Sequence, residues 1–402
     1  MDSPSIAFTF PGQGSQKPGM GEAWQDHPSW ELVAEASKAS ERDVEHLLLK
    51  ADADELKETR NSQLATYVTS MIALDAVARV GVDAAYLAGH SLGEYSALTA
   101  AGTLSFKAGV KLVTERGNAM QAAAEESPGT MAAVLGLEDD QVELCCNKVA
   151  EDVWVANYNT PGQVVIAGTT EGIEKASAVA KDDGAKRVLQ IPVGGAFHTS
   201  LMAPARERLM KALGATDMRD ATQPVFANVD AQPHTSGDEW NDLLAAQLTS
   251  PVRWKHILNA LEAEGANVFI ELGAGTILTG MSKRTLKDAK TLSVTSPADV
   301  DKLLEELAKV KKTDVEVVNH DGEVLYAMER LVISPCAGVF EPEKEVEDGA
   351  QVKRGQLVGT VGETEVRSPF SGYLQGLLAL QGERVNTSQP LAWLRIADTK
   401  PS

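Results

Sequence analysis

The sequence predicts an α/β protein. Its parts are a body on a parallel sheet, an inserted antiparallel subdomain and a small all-β domain at the C-terminal end. Three observations carry this. Short, continuously apolar runs such as "SIAFTF" (5–10) and "AAYLAG" (84–89) are separated by helical periodicity, the pattern of strands covered on both faces. Residues 127–194 change to the order strand, helix, strand, strand, helix, strand. Beyond residue 312 the helices give way to short strands, frequent glycines and an internal repeat.

Composition narrows the class. The 402 residues suffice for two or three domains. With 43% hydrophobic and 23% charged residues, the profile is that of an ordinary soluble globular protein. The 37 Lys and Arg against 57 Asp and Glu leave a formal charge of −20, the wrong sign for a general nucleic-acid binder. No uncharged apolar run is long enough for a bilayer span. The N-terminal "MDSPSIAFTFPGQG" lacks the basic start and apolar core of a secretion signal. Three cysteines, with Cys145 and Cys146 adjacent, make neither a disulfide framework nor a metal-ligand pattern. The expectation is a cytoplasmic protein with no metal, no membrane contact and no nucleic-acid partner, in which Cys145 and Cys146 are small apolar fillers.

The elements follow in order. "SIAFTF" reads as a buried strand that ends in the tight loop Pro11-Gly12-Gln13-Gly14. A helix-rich region spans about 29–80. "AAYLAG" is a second buried strand and runs into Gly89-His90-Ser91-Leu92-Gly93 and a helix of small residues, among them Ala97, Ala100 and Ala101. "SFKAGVKLVTERGNAMQAAA" (105–124) is a helix with Ser105 as N-cap. In the subdomain, "TMAAVLGL" is strand and "DDQVELCCNKVAE" helix. "VWVANYNTPGQVVIAG" is two strands about a turn, "EGIEKASAVAKDDGA" helix and "KRVLQIPV" strand. This βαββαβ order is ferredoxin-like. The body resumes near 196 with "PVFANV" and "NVFIELG" as strands, and residues 298–312 form a charged helix leading to a linker. The predicted domains are 1–312 and 313–402. In the second, 333–361 repeats in 366–394: Ser334-Pro335 and Ser368-Pro369 lie 34 residues apart, with Gly338 and Gly372 at the same offset and Gln356 near-equivalent to Gln389. Two such halves, unable to bury their apolar faces alone, pack as a small pseudo-symmetric sandwich.

The pentapeptide at 89–93 carries the first chemistry. A strand, a sharp turn and a helix place the central serine of Gly-x-Ser-x-Gly at an exposed elbow, so the body is predicted to be α/β-hydrolase-like, with Ser91 a nucleophile. Glycines at 89 and 93 avoid a clash where strand and helix cross, and the helix N-terminus favours an anion. A serine needs a base. His198, in "VGGAFHTSLM", follows a strand and a glycine pair. His27, His46, His90, His234, His256 and His320 are less well placed. No Asp or Glu stands out as a third triad member. An oxyanion hole needs two backbone donors. Leu92 N–H is one, and "PGQGSQ" (11–16) offers Gln13 N–H as the other. Read instead as a phosphate loop, that stretch lacks the Lys-Ser/Thr ending.

Arg116 shares a helix face with Leu112, Val113, Ala119 and Met120 by i+3 and i+4 spacing. An arginine on an apolar face needs a buried anion. Three answers stand open: a structural carboxylate partner, snorkelling to solvent, or a substrate carboxylate held by the guanidinium.

Residues 5 to about 297 closely resemble the malonyl-CoA:acyl carrier protein transacylases. The matching segments are "FPGQGSQ", "GHSLGEYSAL", "ERGNAMQ", "NYNTPGQVVIAG", "GAFHTSLM", "LTSPVRW" and "ELGAGTILTGMSKR". The resemblance implies Ser91 as nucleophile, His198 as base, Gln13 and Leu92 as oxyanion donors, and Arg116 as the clamp on the malonyl carboxylate. It also implies that a backbone carbonyl, that of Gln247, orients the histidine in place of an acid. Met120, Gln63 and Asn157 line the site on this reading. Phe197, in a "GAFH" stretch that looks malonyl-selective, narrows the space beside the α-carbon. The implied substrate is malonyl-CoA, the implied partner acyl carrier protein, in fatty acid or polyketide synthesis, with no bound cofactor. Carrier proteins are acidic, so a basic patch is expected, with Arg253, Lys255, Lys283, Arg284 and Lys287 as candidates.

The C-terminal domain resembles biotinyl or lipoyl carrier domains. Where those display a modifiable lysine, this chain has "VGETEVRSP" (361–369), so biotin or lipoate attachment is not expected. Two rival readings remain: a serine thioesterase or esterase on the same elbow, and a non-catalytic docking subunit of a synthase.

Overall fold

The structure, a computed structural model, describes residues 5–312, 329–343, 349–362, 364–369, 371–386 and 389–395. The chain divides into two compact units, Met1–Glu316 and Val317–Ser402. The predicted boundary after 312 abuts residues 313–328, which, with His320 among them, lie outside the described residues.

The first unit begins with β1 (Ile6–Phe10). Helices α1 (Glu31–Ser40), α2 (Val44–Leu49), α3 (Ala53–Lys57) and the long α4 (Thr59–Arg79) follow. Next come β2 (Tyr86–Gly89), α5 (Gly93–Ala100) and α6 (Phe106–Glu126). Ser105 caps α6 by accepting from the Ala108 N–H at 3.2 Å. The subdomain comprises β3 (Thr130–Leu135), α7 (Asp139–Asn147), β4 (Val153–Thr160), β5 (Gln163–Gly168), α8 (Thr170–Asp182) and β6 (Arg187–Ile191). The body is completed by α9 (Ala203–Gly214), β7 (Val225–Phe226), β8 (Pro233–His234), α10 (Trp240–Gln247), α11 (Trp254–Ala263), β9 (Val268–Leu272), α12 (Ile277–Thr285), β10 (Lys290–Val294) and α13 (Pro297–Lys312).

The body sheet has the order β10-β9-β1-β2-β7-β8 and is parallel except where β8 pairs with β7. β1 lies between β9 and β2, so the apolar continuity of "SIAFTF" reflects a central strand with helices on both faces. The subdomain sheet, β4-β5-β3-β6, is antiparallel throughout. It buries Cys145 and Cys146 in its own apolar core with Val134, Val142 and Ile166.

Two segments differ from expectation. "PVFANV" yields only a two-residue strand. Past Phe226 the chain turns toward β8, the Ala227 N–H donating to the Gln232 carbonyl, and the Asn228 N–H donates to the Glu94 carboxyl instead of a ladder. The helix read as a lead to a linker is part of the body, since Val300, Leu303 and Leu307 join the main core.

The second unit holds β11 (Glu329–Ile333), β12 (Gly338–Pro342), β13 (Gln351–Val352), β14 (Leu357–Val361), β15 (Thr364–Arg367), β16 (Gly372–Leu377), β17 (Arg384–Val385) and β18 (Pro390–Arg395). They form two four-stranded sheets, β11-β18-β16-β13 and β15-β14-β12-β17, about a core that includes Phe340, Val358, Leu374 and Leu391. The repeat has a structural counterpart. The Ser334 N–H donates to the Gln389 carbonyl at 2.8 Å, and the Ser368 N–H donates to the Gln356 carbonyl at 2.9 Å. Each half thus closes on the other through equivalent residues.

Candidate active site

The site starts where β1 and β2 end side by side. At Gly89 a Cβ would stand 1.9 Å from the Gly93 carbonyl, and at Gly93 it would stand 2.0 Å from the Phe10 carbonyl oxygen. Strand, turn and helix therefore cross at backbone contact, and only glycine fits. Between them Ser91 takes φ 52°, a left-handed value that costs a non-glycine residue about 1–3 kcal/mol. Asn228 holds the turn. Its Oδ1 accepts from the Ser91 N–H at 2.7 Å, and its Nδ2 donates to the Gly89 carbonyl at 2.7 Å. Ser91 is partly exposed.

His198 follows β6 and is 5% exposed, with φ 63°. Its Nε2 lies 2.8 Å from Ser91 Oγ and its Nδ1 2.8 Å from the Gln247 carbonyl oxygen. A carbonyl only accepts, so Nδ1 carries the proton and Nε2 faces the serine with its lone pair. Gln247 is the last residue of α10, where helix carbonyls lack intrahelical donors, which is why one is available to the imidazole. Burial first, and the Arg116 charge second, hold His198 down at about 3. The ring is neutral at physiological pH.

Arg116 is 1% exposed. Its Nη1 donates to Gln63 Oε1 at 2.7 Å, and its Nη2 donates to Gln247 Oε1 at 2.8 Å and to Ser91 Oγ at 3.0 Å. The guanidinium lies over the Tyr95 ring, 5.5 Å from its centre, and its Nε has no partner among the described residues. The hydrogen bonds go to two amide oxygens and a hydroxyl, none to a carboxylate. Of the three answers open at the sequence level, snorkelling and a directly paired structural carboxylate are absent here. Burial lowers the arginine's pKa from its ordinary value, as expected of a cation held without a counter-ion in contact.

The remaining candidates fall at different distances from this centre. Gln63 touches Arg116, and its Nε2 donates to Met120 Sδ at 3.2 Å. Gly12 sits against the elbow, since a Cβ on it would be 2.5 Å from the His90 carbonyl oxygen. This puts the loop that carries Gln13 against the elbow. Neither the Gln13 nor the Leu92 N–H has a backbone partner among the described residues. Phe197 is buried, and Gly195 leaves room for its ring, which a Cβ there would meet at 2.7 Å. Asn157 is buried with its Oδ1 unpartnered and makes no hydrogen bond to Ser91, His198 or Arg116. His90 turns away from the serine, with Nε2 3.0 Å from Asn159 Oδ1 and its ring against Trp254. Among the described residues no cluster of acidic, histidine or cysteine side chains fits a metal ion, and no helix is long and apolar enough to cross a membrane.

The family model of the acyl transferase domain matches residues 7–318. A malonyl CoA-acyl carrier protein transacylase of Bacillus subtilis (strain 168) is 43% identical over 307 residues, covering 75% of this chain and 97% of the relative. The chain belongs to the malonyl CoA-acyl carrier protein transacylases. Solved members of the family share the fold of the matched three quarters of the chain. An acyl-carrier-protein S-malonyltransferase from Burkholderia pseudomallei 1710b matches with a TM-score of 0.73 at 40% identity, over 75% of this chain and 99% of the other. A malonyl-transacylase in complex with its type II PKS acyl-carrier protein matches with a TM-score of 0.73 at 35% identity, over 75% and 99%.

Two residues of this transacylase were not singled out from the sequence. Glu94, on the first turn of α5, is 1% exposed. Its Oε1 accepts from the Asn228 N–H at 2.6 Å and its Oε2 from Gln247 Nε2. Burial pushes its carboxyl up to about 8 against the pull of those donors and of Arg116. Asn228 is fully buried. Glu94 was open to the reasoning that found Arg116, a charge on an apolar helix face. Asn228 gave no signal, because its contacts are 137 and 139 residues distant in sequence. The basic candidates for carrier docking also divide. Lys255 is paired with Asp139 at 2.6 Å and 14% exposed, so it is taken up inside the fold. Arg253 donates to the Val229 carbonyl and covers the Tyr158 ring. Lys283, Arg284 and Lys287 are exposed, with Arg284 donating to Gln163.

Proposed function

We propose that the protein transfers the malonyl group of malonyl-CoA to the phosphopantetheine thiol of acyl carrier protein through an O-malonyl-Ser91 intermediate. His198 Nε2 takes the Ser91 proton as Oγ attacks the thioester carbonyl. The developing oxyanion is received by the Leu92 and Gln13 N–H groups. CoA leaves as its thiol, with the proton returned from His198. The carrier thiol, deprotonated by the same nitrogen, then attacks the acyl-serine. The Gln247 carbonyl stabilises the imidazolium formed in each half-reaction, in place of a triad acid. Met120, Phe197, Gln63 and Asn157 shape the acyl chamber on this reading.

The observation that carries the proposal is Arg116, buried with no carboxylate in contact and 3.0 Å from Ser91 Oγ. A carboxylated acyl group on Ser91 would supply the missing anion, held by a charge-assisted pair. That favours malonyl over acetyl, and acyl transfer over an esterase that has no use for the cation. Malonyl groups come in this family from malonyl-CoA, and the solved complex with a type II PKS acyl-carrier protein supports a carrier as acceptor. The pathway served is fatty acid or polyketide synthesis.

The finer fold reading goes with this. The sheet orders support an α/β-hydrolase-like body with a ferredoxin-like subdomain, and a biotinyl/lipoyl-like sandwich at the C-terminal end. Residues 361–369 of the sandwich carry no lysine, so we assign it no biotin or lipoate and the enzyme no cofactor.

The test is to mix purified protein with labelled malonyl-CoA and digest it. The label should map to Ser91 and chase onto added holo carrier protein. No adduct on Ser91, or release as free malonate at the rate of CoA formation, would overturn the proposal.

A further inference from the structure

Gln247 enters the proposed mechanism through its backbone carbonyl. Its side chain is equally constrained. Oε1 accepts from Arg116 Nη2 at 2.8 Å, while Nε2 donates to the Ser91 carbonyl at 2.9 Å and to Glu94 Oε2. A primary amide has nearly the same shape either way round, so its partners decide its direction. Two acceptors, Ser91 O and Glu94 Oε2, hold the NH2 group on one side. Only that direction offers Arg116 an oxygen. Reversed, the amide would set N–H groups against the guanidinium and an oxygen against two acceptors.

We propose that Glu94 is a positioning residue for substrate recognition: it fixes the direction of the Gln247 amide and thereby the plane and the free donors of the Arg116 guanidinium. The inference rests on the malonyl-transfer reading and deepens it. Arg116 is held at both Nη atoms by amide oxygens, Gln63 Oε1 and Gln247 Oε1. Losing one lets the guanidinium rotate about the other. A bidentate grip on a carboxylate depends on that plane, whereas attack on the thioester carbonyl does not. Glu94 is itself fixed, because the Asn228 N–H binds Oε1 and the Asn228 amide is tied to Gly89 and Ser91. The carboxyl thus couples the serine turn to the cation without touching either the nucleophile or the substrate.

The experiment compares Glu94→Gln and Glu94→Asp with the wild type, using malonyl-CoA and acetyl-CoA and one holo carrier protein. Rates are measured from pH 7 to 9.5, because burial pushes the carboxyl up to about 8 and only its ionised form accepts at both oxygens. Glu94→Gln keeps the volume and can still accept from the Asn228 N–H. It turns an NH2 toward the NH2 of Gln247, which displaces the Gln247 amide from its place against Arg116. The expected result is a fall of about tenfold or more in malonyl kcat/KM, mostly through KM. Acetyl kcat/KM should change less than about threefold, and Tm should be close to wild type. Glu94→Asp loses volume but only accepts, so it should keep more of the malonyl preference than Glu94→Gln. A purely space-filling carboxyl predicts the opposite order. An unchanged malonyl-to-acetyl ratio in Glu94→Gln, or equal losses for both substrates, overturns the inference while leaving malonyl transfer standing. A wild type without malonyl preference removes the functional reading itself, and the inference with it.

Discussion

Arg116 Nη2 donates to Ser91 Oγ at 3.0 Å while the same oxygen faces His198 Nε2 at 2.8 Å. The hydroxyl therefore accepts from the arginine and donates to the histidine. On the proposed reading the cation touches the nucleophile before any substrate arrives, and an acyl group on Ser91 would lie beside the guanidinium. Arg116→Ala should lower malonyl kcat/KM by about 2–5 kcal/mol of transition-state stabilisation, roughly 30- to 5000-fold, the range for deleting one partner of a buried charge pair. Acetyl transfer should fall far less. Steady-state rates with both acyl-CoA substrates decide it, and equal losses would make Arg116 structural.

The pH profile follows from His198. Its pKa is depressed to about 3, by burial and then by Arg116. The imidazole is thus a free base throughout neutral and mildly acidic pH, and kcat/KM should show no His198 limb between pH 7 and 5. A bound carboxylate cancels the Arg116 contribution, so the acid limb of kcat should lie at higher pH than that of kcat/KM. Arg116→Ala should move both upward. Stability has matching signs. A histidine near 6.5 unfolded and near 3 folded favours the fold fully above pH 6.5, and that contribution is lost as pH falls toward 3. Glu94, raised from 4.5 to about 8, favours the fold below pH 4.5 and loses that contribution as pH rises through 8. Thermal unfolding across pH should be flatter between pH 6.5 and 3 in His198→Gln and between pH 4.5 and 8 in Glu94→Gln. Parallel curves for variants and wild type would refute these assignments.

How much of this was readable beforehand depends on the range of each contact. The elbow is local: strand, Gly89, Ser91, Gly93 and helix follow one another, so periodicity and glycine spacing reveal it. Arg116 was visible because a charge interrupts an apolar face, yet its partners were not. Gln63 and Gln247 stand 53 and 131 residues away, and either could have been a carboxylate as far as spacing tells. The missing triad acid was legible as an absence. That a carbonyl stands in its place came from family resemblance, because any residue at a helix C-terminus can offer one. β8 and β10 escaped notice for a different reason. β8 is two residues long, and β10 is a half-exposed edge, which lacks the continuous apolar run of β1.

The backbone crossing at the elbow gives a prediction that does not depend on catalysis. Gly93→Ala would push a Cβ to 2.0 Å from the Phe10 carbonyl oxygen, backbone that cannot swing aside. Strand and helix must then separate in the centre of the body. The cost should exceed about 4 kcal/mol, among the largest single-substitution effects. Gly102→Ala meets nothing within 4 Å and has only its φ of 75° to overcome, at about 1 kcal/mol. Chemical denaturation of the two variants should separate them clearly, and similar midpoints would mean that the crossing is not tightly packed.

The two units have separate apolar cores, and that bears on what the C-terminal one contributes. Every group assigned to acyl transfer, from Gln13 to Gln247, lies in Met1–Glu316. The core of the second unit is made from its own residues, Val332 to Leu394. A chain ending after Lys312 keeps α13, whose Val300, Leu303 and Leu307 belong to the body core, and loses none of the residues that hold Ser91, His198 or Arg116. It should fold, form the malonyl-serine adduct and transfer to free carrier protein with kcat/KM within about twofold of the full chain, since every residue assigned to the reaction is retained. If the truncated chain is stable but its transfer rate collapses while adduct formation persists, the second unit acts in the carrier half-reaction. A loss of both would make the second unit necessary for acylation and overturn the prediction.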